Sequence, residues 1–318
     1  MLWLYIIIFI ASCLLLIKSG SWAVKCLAKV GSFLKWSEFA VAFLLMALIT
    51  SLPELFVSLS AAFKGRPELA FGNIIGSNII NLTLAVSIPI FIAGAIKAKS
   101  LLAQRSSVYS AAIAFLPVLL LLDGKLTRVD GIILLFSLFF YFRDIAKKKS
   151  RLEEDFDDEI KEDFALKNGF LKAIGGLLLS VALLLISAEG IVWSATLMAS
   201  GVGVPLLVIA ILLVALGTNL PEIIFSIKAA SMGHQGMILG NLMGSVVMNS
   251  SLVLGLTVLI HPIEIFQFSP YIVGMVFTVF VAIFFAVFVR TQRKITKKEA
   301  VVLLVIYILF VATQLVIK

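Results

Sequence analysis

Thr50-Ser51-Leu52-Pro53-Glu54 sets a carboxylate and a proline inside an apolar run, with no charged residue in 41–49 or in 55–59 and the following apolar stretch to 63. An ionisable side chain in the middle of a membrane helix is costly and marks a functional site by default. Proline removes a backbone donor and crowds the carbonyl four residues back, here that of Ile49, so the spacing predicts a kink or unwound turn. Carbonyls freed at membrane depth are tolerated where they line a cavity or are buried in protein. A carboxylate beside loose carbonyl oxygens suits a hard cation.

The stretch occurs twice. Thr218-Asn219-Leu220-Pro221-Glu222 repeats it at an offset of 168 residues, and 42–84 aligned with 210–252 gives 19 identities in 43 positions without a gap. Shared hydrophobicity would produce matching leucines and alanines. It would not produce the matches Pro53/Pro221, Glu54/Glu222, Gly72/Gly240, Asn73/Asn241, Gly76/Gly244, Ser77/Ser245 and Asn81/Asn249. The chain is an internal duplication.

The remaining sequence gives this duplication its setting. Of 318 residues, 61% are hydrophobic and 14% charged, and the apolar runs are long enough to cross a bilayer. The expected class is an all-α polytopic membrane protein. The first apolar run lacks a basic leader segment and a small-residue cleavage site, so it reads as a retained helix. Cys13 and Cys26 fit small buried hydrophobes better than a disulfide or a zinc site. The net charge of +8 fits basic loops on one side of a membrane, and nucleic acid is not expected as a partner.

Ten spans fit the runs, at about 2–18, 39–63, 68–95, 106–122, 129–146, 170–190, 204–227, 236–260, 269–289 and 300–317. With both termini extracellular, lysine and arginine divide 21 inside to 5 outside, a strong orientation signal. Five spans per half is an odd number, so the second half enters the membrane inverted relative to the first. The expected organisation is two inverted five-helix repeats, 1–147 and 169–318, joined by a short cytoplasmic charged loop at 148–168. Inverted repeats are common in secondary transporters, with substrate sites near the midplane on broken helices. The joining loop reads as a solvated tether.

Thr50, Glu54 and Ser58, and in the second copy Thr218, Glu222 and Ser226, lie at helical i, i+4, i+8 spacing. Asn73, Ser77 and Asn81 repeat that spacing, as do Asn241, Ser245 and Asn249. Four polar stripes therefore face something inside an apolar bundle. Interhelical hydrogen bonding would explain any one of these residues alone; duplication of the whole set around two carboxylates points to protons or metal ions. The candidate ligands are all oxygen, which suits calcium, magnesium or sodium. Glu189 is the only other acid well inside a span and reads as an outward-interface residue.

The segments Ala-Leu-Gly-Thr-Asn-Leu-Pro-Glu (215–222) and Gly-Asn-Leu-Met-Gly-Ser (240–245), with their first-half counterparts, resemble the alpha repeats of the cation/calcium antiporter superfamily. They are most similar to those of prokaryotic sodium/calcium exchangers. The resemblance implies four ion sites in a diamond at the midplane. Calcium would be held by Glu54 and Glu222 with the carbonyls of Thr50 and Thr218. Sodium would use Ala47, Ser51 and Ser245 with Glu222 on one side, and Ala215, Asn219 and Ser77 with Glu54 on the other. Asn81 and Asn249 would line the middle.

Two positions depart from the family pattern: Ile49 stands where glycine is usual, and Asn219 where serine is usual. Asparagine at both 81 and 249 argues against potassium co-transport, and the Gly-Asn-x-x-Glu motif of proton/calcium exchangers is missing. The leading expectation is sodium-driven calcium antiport by alternating access. Proton-driven exchange of calcium or another divalent cation is the alternative, since paired carboxylates also share protons. A cation channel would use similar oxygen rings, and no metalloprotease motif or Ser-His pair suggests an enzyme. No cofactor and no obligatory protein partner are expected; the partners are calcium and sodium ions and the lipid bilayer.

Overall fold

The apolar runs fold as helices because a helix satisfies its own backbone donors and acceptors where lipid offers none. The computed structural model describes residues 2–33, 50–98, 101–146, 170–231, 233, 235–264, 268–291 and 293–316. The first half contains α1 (Leu2–Phe33), α2 (Leu52–Phe63), α3 (Pro67–Leu82), α4 (Leu84–Ala93), β1 (Ala95–Lys97), α5 (Leu101–Leu120), β2 (Lys125–Leu126) and α6 (Arg128–Ala146). The second contains α7 (Phe170–Val202), α8 (Leu206–Ile209), a π-helical turn (Ala210–Val214), α9 (Ala215–Ser231) and α10 (Gln235–Met248). A second π turn (Asn249–Val253) leads into α11 (Leu254–Ile260), followed by β3 (Ile263–Glu264), α12 (Phe268–Thr291), β4 (Lys294–Thr296) and α13 (Lys297–Val316). Among the described residues, eight helices are long and apolar enough to cross a membrane.

Polarity is arranged inside out. The outer faces of α1, α6, α7, α12 and α13 expose Ile7, Phe136, Leu178, Phe280 and Ile308, while Asn73, Asn81, Glu54, Glu222 and Asn249 are fully buried. That distribution suits a hydrocarbon surround.

Contacts between the halves come in matched pairs. The long helices α1 and α7, counterparts in the duplication, pack along each other. The contact of α6 with α11 is matched by that of α13 with α4. Strand β1 pairs antiparallel with β4, and β2 with β3. Each strand thus bonds to the opposite half, and the two sheets are counterparts. Even the closest approaches are mirrored. Ser87 donates its hydroxyl to the Ala300 carbonyl at 3.0 Å, while at the equivalent crossing Gly131 and Gly255 bring bare backbones together.

Several expectations need correction. The first and sixth spans, placed at 2–18 and 170–190, are parts of helices of 32 and 33 residues, because Ser19, Ser21 and Ser194 return their hydroxyls to their own helix carbonyls and do not interrupt it. The third span, 68–95, is two helices broken at Thr83. Its counterpart carries the π turn at 249–253. At both irregularities a hydroxyl bonds back one turn: Thr83 to Ile79 O and Ser251 to Val247 O, both at 2.5 Å. Such back-bonding bends helices. The offset of 168 becomes 169 after the fourth span. Thr127 caps α6 through Asp130 (2.7 Å), and Thr296 caps α13 through Glu299 (2.7 Å). The fifth span, the shortest apolar run, is a regular 19-residue helix.

The two prolines also act differently. Pro53 lies in the first turn of α2, just after a turn at Ser51, so its missing donor costs nothing there. Pro221 sits inside continuous α9, and the irregular turn falls upstream at 210–214. The unwinding expected at Pro221 is displaced by about two turns.

Candidate ion-binding site at the meeting of the halves

Helix α3 carries Asn73, Ser77 and Asn81 through the centre of the bundle, where it packs on α2, α9 and the π turn at 210–214. Two glycines make this possible. A methyl group on Gly72 would lie 2.7 Å from Ala210 Cβ, and one on Gly76 would lie 2.6 Å from Ala215 Cβ and collide with the Ile211 carbonyl. Only a bare backbone lets α3 approach the helix bearing the second glutamate this closely.

Glu54 and Glu222 are both wholly buried. They carry like charge, and among the described residues neither forms an ion pair with a lysine or arginine; the pair that does form is Lys64–Glu189. None of the four carboxylate oxygens makes a hydrogen bond of good geometry. Thr218 stands beside Glu54, yet its hydroxyl is directed at Asn73 Oδ1 (3.1 Å) and the Ala215 carbonyl (3.2 Å).

Around the carboxylates runs a set of polar bonds between the halves. Thr50 donates to Asn241 Oδ1 at 3.1 Å and also meets Ser245 Oγ at 3.1 Å. Asn219 donates to Ser77 Oγ at 2.6 Å and to the Ala215 carbonyl at 2.7 Å. Ser51 is buried with a hydroxyl that lacks a partner, and both amide atoms of Asn81 and of Asn249 lack partners. Ala47 lies outside the described residues. The other eleven sequence candidates are all buried, on α2 with the turn before it, α3, α9, α10 and the π turn after α10.

Burying so many oxygen atoms without partners is unfavourable unless something else satisfies them. A cation does so, and this donor set of carboxylate, amide, hydroxyl and carbonyl oxygens fits calcium or sodium. Among the described residues no three of His, Cys, Asp and Glu come together, so the formal negative charge of the site is that of the two glutamates. Two carboxylates match one calcium ion or two sodium ions.

Residues outside the candidate set complete this network. Asn73 and Asn241 accept the threonine hydroxyls, and Asn73 also donates to Ser58 at 3.2 Å. Their signal was in the duplicated stripes. Asn78 donates to Ser250 at 2.7 Å; the residues at their repeat positions, Val246 and Leu82, are apolar, so duplication gave no signal for this bond. Glu189 lies apart from the site, half-exposed, paired with Lys64 and bonded by Ser60 at 2.7 Å.

The sodium/calcium exchanger protein family matches residues 4–143 and 172–316. The chain belongs to that family. It is 28% identical to the sodium/calcium exchanger MaX1 of Methanosarcina acetivorans, over 93% of this chain and 94% of the relative. It is 31% identical to the putative antiporter CaxA of Alkalimonas amylolytica, over 78% of each chain. The solved structure of the sodium-calcium exchanger NCX_Mj, soaked with sodium and strontium, is 27% identical and superposes with a TM-score of 0.67 over 98% of this chain and 99% of that one. Membership makes the chain a membrane protein of ion-exchanging antiporters, and the resemblance read from its two motifs holds.

Proposed function

We propose that the protein exchanges sodium for calcium across the membrane by alternating access, with Glu54 and Glu222 holding the ions. The observation that carries this reading is the pair of wholly buried carboxylates whose oxygens make no hydrogen bond of good geometry with the protein. Removing two like charges from water without compensation is strongly unfavourable, so the pair needs bound positive charge. One calcium ion or a set of sodium ions supplies it, and a fully loaded site is then free to change its exposure from one face of the membrane to the other.

In this reading Glu54 and Glu222 bind calcium with the carbonyls of Thr50 and Thr218. Sodium binds within the oxygen-lined set that flanks the calcium position: a first pocket of Ser51, Ser245 and Ala47 and a second of Ala215, Asn219 and Ser77, with Asn81 and Asn249 between. The ten-helix architecture, as inverted repeats 1–147 and 169–318 around the loop 148–168, is part of the proposal. So is the placement of both termini outside. The matched contacts of β1 with β4 and β2 with β3 support the two-fold relation, and the loop charges support the orientation.

The test uses purified protein in sealed vesicles. Vesicles loaded with sodium and diluted into sodium-free medium should take up radioactive calcium. Uptake that persists unchanged after the sodium gradient is collapsed would exclude the exchange.

A further inference from the structure

The duplication presents the same pocket twice, and this chain builds the copies differently. In the first copy Ser51 contributes a short hydroxyl, buried and without a partner. Its counterpart is Asn219, whose NH2 group donates to Ser77 Oγ at 2.6 Å and to the Ala215 carbonyl at 2.7 Å. Chemistry dictates that orientation. The Ala215 carbonyl only accepts, so the amide nitrogen must face it; an amide oxygen there would oppose another oxygen. Asn219 Oδ1 is left without a partner.

Both oxygens that receive these bonds belong to the second sodium pocket of the reading above. Each is engaged by a group that presents a positive face and carries no mobile charge. Displacing it would break two short hydrogen bonds and leave a buried NH2 without acceptors, which is unfavourable. In the first copy Ser245, the counterpart of Ser77, meets the Thr50 hydroxyl at 3.1 Å, and the residue at 51 is a serine, which has no NH2 group to offer.

We propose that the Asn219 amide takes the place of one transported sodium ion, so that this exchanger moves two sodium ions per calcium and no net charge. This rests on the sodium/calcium reading and names its stoichiometry. Two carboxylates with one calcium sum to zero, and so do two carboxylates with two sodium ions. A third sodium would leave the loaded site at +1, and moving that charge through the membrane field is worth about 2.3 kcal/mol per 100 mV.

The test counts ions on the full-length protein and on two variants. Equilibrium dialysis with radioactive sodium, in the absence of calcium, should give two ions per chain for the wild type and three for Asn219→Ser. The converse variant, Ser51→Asn, should lose one. In vesicles with clamped voltage, wild-type exchange should not respond to potential, while Asn219→Ser should release calcium faster when the interior is negative. Three sodium ions on the wild type, or equal counts on wild type and Asn219→Ser, would overturn the proposal. If calcium binds but neither protein binds sodium, this inference and the sodium reading both fall. If the counts hold but calcium flux follows a pH gradient alone, the amide's role stands and the exchange reading falls.

Discussion

Thr50 donates its hydroxyl proton to the amide oxygen of Asn241 at 3.1 Å, joining residues 191 positions apart. Its repeat counterpart, Thr218 to Asn73, has the same length of 3.1 Å. These two bonds brace each glutamate-bearing segment against the opposite half. They differ in one respect: Asn73 also donates to Ser58 at 3.2 Å, whereas Asn241 Nδ2 has no partner. Asn73→Ala should therefore be the more destabilising substitution, by about 1–3 kcal/mol, since it strips partners from two buried hydroxyls. Thermal unfolding in detergent should rank wild type above Asn241→Ala, and Asn241→Ala above Asn73→Ala. The reverse order of the two variants would mean that the Ser58 bond adds nothing.

Glu54→Gln and Glu222→Gln should each abolish calcium transport while leaving the protein folded. Glutamine keeps the shape but removes one of two charges facing a divalent ion, and attraction between charges strengthens as the dielectric falls. Melting temperature should hold or rise, because the variant no longer buries two repelling carboxylates. Calcium uptake near the wild-type rate in either variant is the outcome that removes these residues from the site.

Gly76→Ala tests the packing that brings the halves together. The added methyl has no room against the Ile211 carbonyl and Ala215 Cβ, so α3 must move away from the helix carrying Glu222. Overpacking of this kind typically costs about 1–3 kcal/mol. Gly175→Ala is the control, since a methyl there meets nothing within 4 Å. A lower melting temperature is expected for Gly76→Ala only.

Glu189→Gln should leave exchange intact. The Lys64–Glu189 pair is partly exposed, with side-chain exposures of 37% and 52%, and exposed pairs contribute about 0–1 kcal/mol. A loss of transport comparable to that of Glu54→Gln would give Glu189 a part in the ion path.

Much of the candidate site was legible in the sequence because duplication acts as an internal alignment. A motif that pairs Pro-Glu with Pro-Glu and Gly-Asn-x-x-Gly-Ser with itself separates chemistry from mere hydrophobicity. Helix ends were less legible. Leu15 through Phe33 and Glu189 through Val202 mix serine, lysine and small residues with apolar ones, so the hydrophobic run stops where the helix does not. The breaks at Thr83 and 249–253 were not legible at all, because the apolar run continues across both. Asn219 was legible as a departure from the family pattern, but the direction of its amide was not: the structure turns its nitrogen to Ser77 and Ala215. The Asn78–Ser250 bond escaped because it breaks the repeat.

The central claim is that sodium, bound among these oxygens, drives calcium. The most direct measurement is calcium flux in reconstituted vesicles with the two gradients imposed separately. One set carries a sodium gradient at equal pH, the other a pH gradient at equal sodium. The account predicts calcium flux with the first and none above leak with the second. Flux that follows the pH gradient and ignores sodium would contradict it.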